Sequence, residues 1–264
     1  MRWSEIMRED WDQRARKNAM YYIATTYDSN FWDPETFFEE GEKQAIALVQ
    51  PVLDRLGFIP TGKRILEIGC GIGRLFLGFA ELGFDEIWGV DVSAEMVERG
   101  RKWCPVSNAR FLLMNGQDLT GVDNDSIDYC FSYFVFPHVP DPDIIWRYLD
   151  ELWRVLKPGG ACQLHFRGHY PFSERILRVI PLRLHPLIQI SYQLVTLRWL
   201  RGYPIRPLYV PGSLRTWCGT AIDPEQFADR LVQLGFTDVE IFPESSRRSR
   251  GRFWAIGMKP QEEP

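Results

Sequence analysis

RILEIGCGIGR, residues Arg64 to Arg74, is the stretch on which the fold turns. Ile65, Leu66 and Ile68 make a short apolar run of the kind a buried strand carries, and it meets Gly69, Gly71 and Gly73 without a break. From Leu75 to Leu82 the pattern is helical. A strand that passes through glycines onto a helix N-terminus builds an open anion- and nucleotide-binding corner, because glycine lets the backbone approach a ligand and the helix end offers free N–H groups. The spacing departs from the dinucleotide fingerprint G-x-G-x-x-G: the third glycine comes one residue early, and Arg74 stands in its place. Glu67, just before the first glycine, is the second departure.

Outward from the corner, Gly83 closes the helix, and Glu86 to Val90 predicts a second strand ending at Asp91. Asp91 follows the corner at about the separation expected of an acid that binds a ribose from the end of the second strand. Ser93 caps a helix holding Met96 and Val97. Strands follow at Arg110 to Met114, Ile127 to Ser132 and Ala161 to Phe166, the last entered through the tight turn Lys157-Pro158-Gly159-Gly160, with a helix opened by Asp141-Pro142 before it. Upstream, Met7, Trp11, Ala15, Ala19 and Tyr22 recur at helical spacing, and Asp33-Pro34 opens a second helix that Pro51 is expected to kink or divide and Gly57 to end. Downstream, Asp223-Pro224 caps a helix ending at Gly235, and strands are expected at Thr237 to Phe242 and Phe253 to Met258.

Alternating strands and helices imply a mainly parallel sheet with helices on both faces. The organisation expected is one α/β domain over 1–264: a helical cap over 1–60, a core over 61–167, an inserted lid over 168–216, and a helix and hairpin over 217–264 that complete the core. The insertion carries seven arginines after Pro171 against the single acid Glu174, an arrangement suited to an anionic ligand or an acidic membrane surface.

Composition narrows the function. The net charge of −4 argues against general affinity for nucleic acid. Five scattered cysteines form no C-x-x-C pair, which points to reduced thiols and neither a disulfide frame nor a zinc site, so no metal is expected. The charged N-terminus holds no signal-peptide core, and the apolar run from Arg183 to Arg198 is too short to span a membrane. A soluble, cytoplasmic protein is expected.

From about Arg64 to Lys259 the chain resembles the small-molecule branch of the class I S-adenosylmethionine (SAM)-dependent methyltransferases. EIGCGIGR, GVDVSAEMVERGR, NGQDL, SIDYCFSYFVFPHVPDP and LWRVLKPGG stand in that family's order. The resemblance implies a Rossmann-like, seven-stranded, mostly parallel sheet with an antiparallel last strand. It implies SAM as cofactor and S-adenosylhomocysteine (SAH) as product. By the same resemblance Gly69, Gly71 and Gly73 pass the methionine part, with Glu67 ordering the turn. Asp91 takes the ribose, with Val92 and Met96 on the adenine. Where relatives often read Gly-Asp-Ala, Asn115 and Gly116 hold the last two places, so Asn115, or Gln117 and Asp118, take the adenine contact here. Ser132 and Tyr133 border the transferred methyl, and Tyr21 or Tyr22 touches the cofactor from the cap.

Methyl transfer needs alignment above all, and a base only where the nucleophile must lose a proton. His138 is the candidate base, with His165, Arg167, His169 and Tyr170 as acceptor-binding residues at the end of the fifth strand. The leading reading is methylation of an O, N or C nucleophile on a small or medium-sized metabolite, anionic or partly apolar. The rivals are a SAM-binding scaffold or regulator without catalysis, a lipid methyltransferase at a membrane surface, and a nicotinamide oxidoreductase. Peripheral membrane contact, and a monomer or homodimer, stay open.

Overall fold

The computed structural model describes residues 3–24, 32–168, 219–244 and 251–261. Seven strands form one sheet: β1 Arg64–Ile68, β2 Glu86–Asp91, β3 Arg110–Leu113, β4 Ile127–Ser132, β5 Leu156–Arg167, β6 Thr237–Pro243 and β7 Arg252–Met258. Their order is β3-β2-β1-β4-β5-β7-β6. Neighbours are parallel from β3 to β5, while β7 is antiparallel to both β5 and β6. The chain direction across the sheet reverses between β1 and β4, the switch point at which open α/β sheets bind ligands beyond the carboxyl ends of their strands.

Alternate residues of the central strands feed two cores. On one face Ile65, Ile87, Tyr129 and Phe131 pack with helix α2 (Pro34–Leu56) and helix α3 (Phe76–Glu81). On the other, Leu66, Val90, Cys130 and Leu164 pack with α5 (Pro142–Val155) and α6 (Pro224–Leu234). Helix α4 (Ala94–Trp103) follows β2. Four helices begin on the acids or hydroxyl seen in the sequence: Asp33, Ser93, Asp141 and Asp223 each accept a hydrogen bond from the first turn they cap.

Two local expectations are corrected. Helix α2 runs unbroken through Pro51, because Val49, Val52 and Leu53 around it are buried and tertiary packing outweighs one lost N–H bond. Helix α1 (Trp3–Ile23) is broken at Asn18, whose backbone is extended (φ −170°) and whose Oδ1 accepts from Tyr21 N at 3.1 Å. Asn18 thus acts as an internal cap and redirects the last turn, which carries Tyr22.

Helix α1 is tied to α4 by polar contacts: Asp12 Oδ1 accepts from Ser93 Oγ (2.6 Å) and Glu95 N (3.1 Å), and Arg16 pairs with Glu95. Helix α2 meets the glycine corner much more closely. A Cβ on Gly41 would fall on the Arg74 carbonyl and 2.7 Å from Arg74 Cγ, and one on Gly78 would lie 2.5 Å from Ala45 Cβ.

Candidate functional site

The corner after β1 is built from backbone bonds that only this sequence pattern allows. Gly69 has φ +73°, and its N–H and that of Cys70 both donate to Val90 O at the end of β2 (2.7 and 3.1 Å). A side chain at Gly69 would fall on Val135 Cγ2, so β1 and the segment after β4 approach more closely than any other residue permits. Asp91 links the two halves, accepting from Gly71 N and Ser93 N at 2.8 Å each. Burial raises its carboxyl to about 6, against the pull of those N–H groups. Glu67 is raised further, to about 8, first by burial and then by Asp91, with Arg74 opposing. Its Oε2 is buried without a hydrogen-bond partner.

These groups open onto a cavity of about 770 Å³. Of the residues the sequence nominated, Tyr22, Glu67, Gly69, Gly71, Asp91, Val92, Met96, Gly116, Tyr133, His138 and Arg167 line it. Val92 sits tight against Gly116, where an added Cβ would lie 2.8 Å from Val92 Cγ2. His138 lies in the 3₁₀ turn Phe136–His138 with its ring edge-on to Trp11, the centroids 5.5 Å apart.

The remaining nominated residues are placed elsewhere. Gly73 serves packing, its missing Cβ making room for Phe111 and Phe76. Asn115 turns inward on its own loop: Oδ1 accepts from Gln117 N and Asp118 N, and Nδ2 donates to Asp118 Oδ1. Gln117 reaches Ser4 of α1 instead of the cavity. Ser132 Oγ donates to Ile68 O within the sheet. Tyr21 packs against Tyr22 behind the lining. His165 is fully buried, with Nε2 3.0 Å from Glu244 Oε2, and burial lowers its pKa against the pull of Glu244. His169, Tyr170 and nearly all of the expected lid lie outside the described residues.

Around the nominated Tyr133 the cavity wall draws on residues the sequence did not nominate. Tyr133 stacks on Trp254 (5.4 Å, 5°), its hydroxyl accepting from Gln44 Nε2 at 3.3 Å, and burial pushes its pKa up to about 12, so it remains a phenol. Phe134 adopts φ +58°, a strained conformation for a bulky residue, and its ring carries the Arg252 guanidinium at 4.5 Å. Arg74, in the place of the missing glycine, reaches back to Gln44 of α2 and lies 5.5 Å from the Phe37 ring. Met7, Trp11, Glu40, Gln44, Glu244 and Arg252 all line the cavity. Only Arg74 announced itself, by standing where a glycine was expected.

The site fits SAM on its own geometry. A side-chain-free backbone cradle lies beside Asp91, and a buried, partnerless carboxyl oxygen of Glu67 faces the space where a cation would be stabilised. Comparison with known proteins agrees. Residues 65–160 match the methyltransferase domain model. An uncharacterised methyltransferase of Mycobacterium leprae is 32% identical over 134 residues, which is 50% of this chain and 48% of that protein. The chain therefore spans about half the length of that relative. A ubiquinone biosynthesis O-methyltransferase of Xanthomonas axonopodis is 27% identical over 201 residues, 70% of this chain and 80% of the relative. The solved magnesium protoporphyrin IX methyltransferase of Synechocystis with bound SAH shares the fold, with TM-score 0.59, 15% identity, and coverage of 98% of this chain and 100% of that one. The ordered motifs, the sheet order and the corner all agree with the match over residues 65–160: that stretch is a methyltransferase domain, set in the fold of the class I SAM-dependent methyltransferases.

Proposed function

We propose that this protein transfers the methyl group of SAM to a small or medium-sized metabolite held in the same cavity. One observation carries the reading: the glycine corner with Asp91 and the Tyr133–Phe134–His138 segment line a single continuous cavity at the switch point of the sheet. The bound cofactor supplies an already activated methyl group, so the chain's task is placement. Asp91 orients the ribose with the carboxylate oxygens it already aims at Gly71 and Ser93. Glu67 meets the positively charged methionine end, and Val92, Met96 and Gly116 form the adenine wall. His138, beside Trp11, is placed to take a proton from the acceptor. The relatives that bear on substrate class, a ubiquinone biosynthesis O-methyltransferase and a magnesium protoporphyrin IX methyltransferase, are named for small organic acceptors, which supports a metabolite over nucleic acid or protein. No helix among the described residues is long and apolar enough to cross a membrane. A cytoplasmic location fits this reading.

Calorimetry with SAH tests the corner. Asp91→Ala removes charge-assisted hydrogen bonds of roughly 1.5–3 kcal/mol each, so affinity should fall at least tenfold. Asp91→Asn, which keeps one acceptor oxygen, should fall between the two. Unchanged affinity in a folded Asp91→Ala variant rejects the assignment.

The cap reading has its own test. Met7, Trp11 and Tyr22 bring α1 onto the cavity wall, so bound SAH should slow amide exchange in α1 while α2, packed backbone to backbone on the corner, changes little. Equal exchange in α1 with and without SAH rejects a cap.

A further inference from the structure

Arg74, Gln44 and Tyr133 form a hydrogen-bonded chain along the cavity wall, and the chemistry of its members fixes the direction of each bond. A guanidinium has donors and no acceptor, so the Gln44 amide oxygen must face Arg74 Nη1 and its nitrogen must face Tyr133. That nitrogen can only donate, so the Tyr133 oxygen receives, at 3.3 Å. The hydrogen of the Tyr133 hydroxyl is thereby left over. Among the described residues that hydroxyl has no hydrogen-bond partner besides Gln44. Burial lifts the phenol to about 12, so the hydrogen is present at any ordinary pH. The chain is also held in place. Gly41, one turn before Gln44, sets α2 directly on the Arg74 backbone. The Tyr133 ring stacks on Trp254 at 5.4 Å, with Phe134 and His165 edge-on at 4.6 and 5.2 Å. These ring neighbours come from β5, β7 and the segment after β4, whereas the cofactor cradle is made at the ends of β1 and β2 and after β3.

We propose that Arg74 and Gln44 are positioning residues that act through Tyr133, making its hydroxyl a committed donor to a carbonyl or phenolate oxygen of the methyl acceptor. The proposal rests on the reading that the acceptor shares this cavity with SAM. A hydroxyl free to rotate can donate or accept, and so tolerates either kind of group. Here the accepting side is taken by Gln44, and only the donating side is offered. An acceptor that presented an N–H or ammonium group at this point would leave both hydrogens unpaired, which is a basis for selecting against it.

The test uses the full chain saturated with SAH and two ring probes of similar size, acetophenone and ethylbenzene, the second lacking the oxygen. Ligand-detected NMR gives their affinities, and the infrared carbonyl stretch of isotope-labelled acetophenone reports the hydrogen bond itself. In the parent the bound carbonyl should absorb at lower frequency than it does in cyclohexane. Tyr133→Phe should remove that shift and lower the acetophenone-to-ethylbenzene affinity ratio by about fivefold or more, the worth of one hydrogen bond, with SAH affinity within about twofold. Gln44→Glu should do the same with the tyrosine intact, because a carboxylate there receives the O–H. A Gln44 that serves only packing would weaken both probes alike and leave the ratio unchanged. An equal ratio in parent and Tyr133→Phe, or no binding of acetophenone by the parent, overturns the assignment. Loss of SAH affinity in Tyr133→Phe with the ratio unchanged overturns it as well and gives the hydroxyl to the cofactor. Should SAH itself fail to bind the parent, the cofactor reading falls, and the same two probes without SAH still decide the hydroxyl.

Discussion

Gly69→Ala should abolish measurable SAH binding and lower stability by roughly 2–4 kcal/mol. Two costs combine. The residue sits at φ +73°, where a Cβ costs roughly 1–2 kcal/mol. The new methyl would also fall on Val135 Cγ2, so the segment after β4 must retreat from the corner. Gly57 separates these costs, since its φ is +61° but a Cβ there meets nothing within 4 Å. Gly57→Ala should therefore show the backbone cost alone and leave SAH affinity unchanged. Val135→Ala placed in the Gly69→Ala background should restore part of the binding by giving the methyl room. Calorimetry and denaturant unfolding on the four proteins decide it. A Gly69→Ala protein that binds SAH within about twofold of the parent sinks the argument.

The second large effect lies in the pH dependence of Glu67. Its carboxyl is lifted from 4.5 to about 8, chiefly by burial and then by Asp91, with Arg74 pulling the other way. The folded, ligand-free protein thus holds a proton that the unfolded chain has already released between those values. Stability must fall as pH rises through that window, by an amount on the order of 5 kcal/mol at full development. Asp91, raised from 3.8 to about 6, adds a loss of the same sign at lower pH. Glu67→Gln keeps the shape of the protonated acid and cannot ionise. It should match the parent near pH 5 and be clearly more stable at pH 9 without ligand, while binding SAM more weakly because no carboxylate meets the cationic methionine end. Denaturant titrations at both pH values test this; a parent whose stability is flat from pH 5 to 9 relative to Glu67→Gln rules out a buried, protonated Glu67.

The sequence revealed the parts of this molecule that depend on local chemistry. The strand-to-glycine corner, the four helix caps and the acid closing β2 each need particular residues at short spacing, and each lies where that spacing put it. The kink at Asn18 carried a weaker signal, an Asn that satisfies an N–H three residues on. Continuity of α2 through Pro51 was not legible, because it depends on what the helix packs against. One stretch of the cavity wall was hidden for a related reason. Arg252 and Glu244 come from the far end of the chain and reach the cavity only because β7 inserts antiparallel beside β5. No motif marks a residue whose cross-strand neighbour is 85 positions away in sequence, as Arg167 is for Arg252. Asn115 was nominated by its family position, and its side chain is bonded within its own loop, an arrangement no spacing rule announces.

The contact of Gly41 with the Arg74 carbonyl gives the two N-terminal helices different mechanical roles. With no side chain between them, α2 and the corner backbone have no compliant layer, so a displacement of one is a displacement of the other. Helix α1 is attached through side chains, by the polar links of Asp12 and Arg16 to Ser93 and Glu95 and by the buried Ala15 and Ala19, which pack with Phe37 and Met96. The glycine at 41 makes α2 a rigid extension of the corner, while α1 meets the same corner through a side chain that can shift, Ile23 against Gly71.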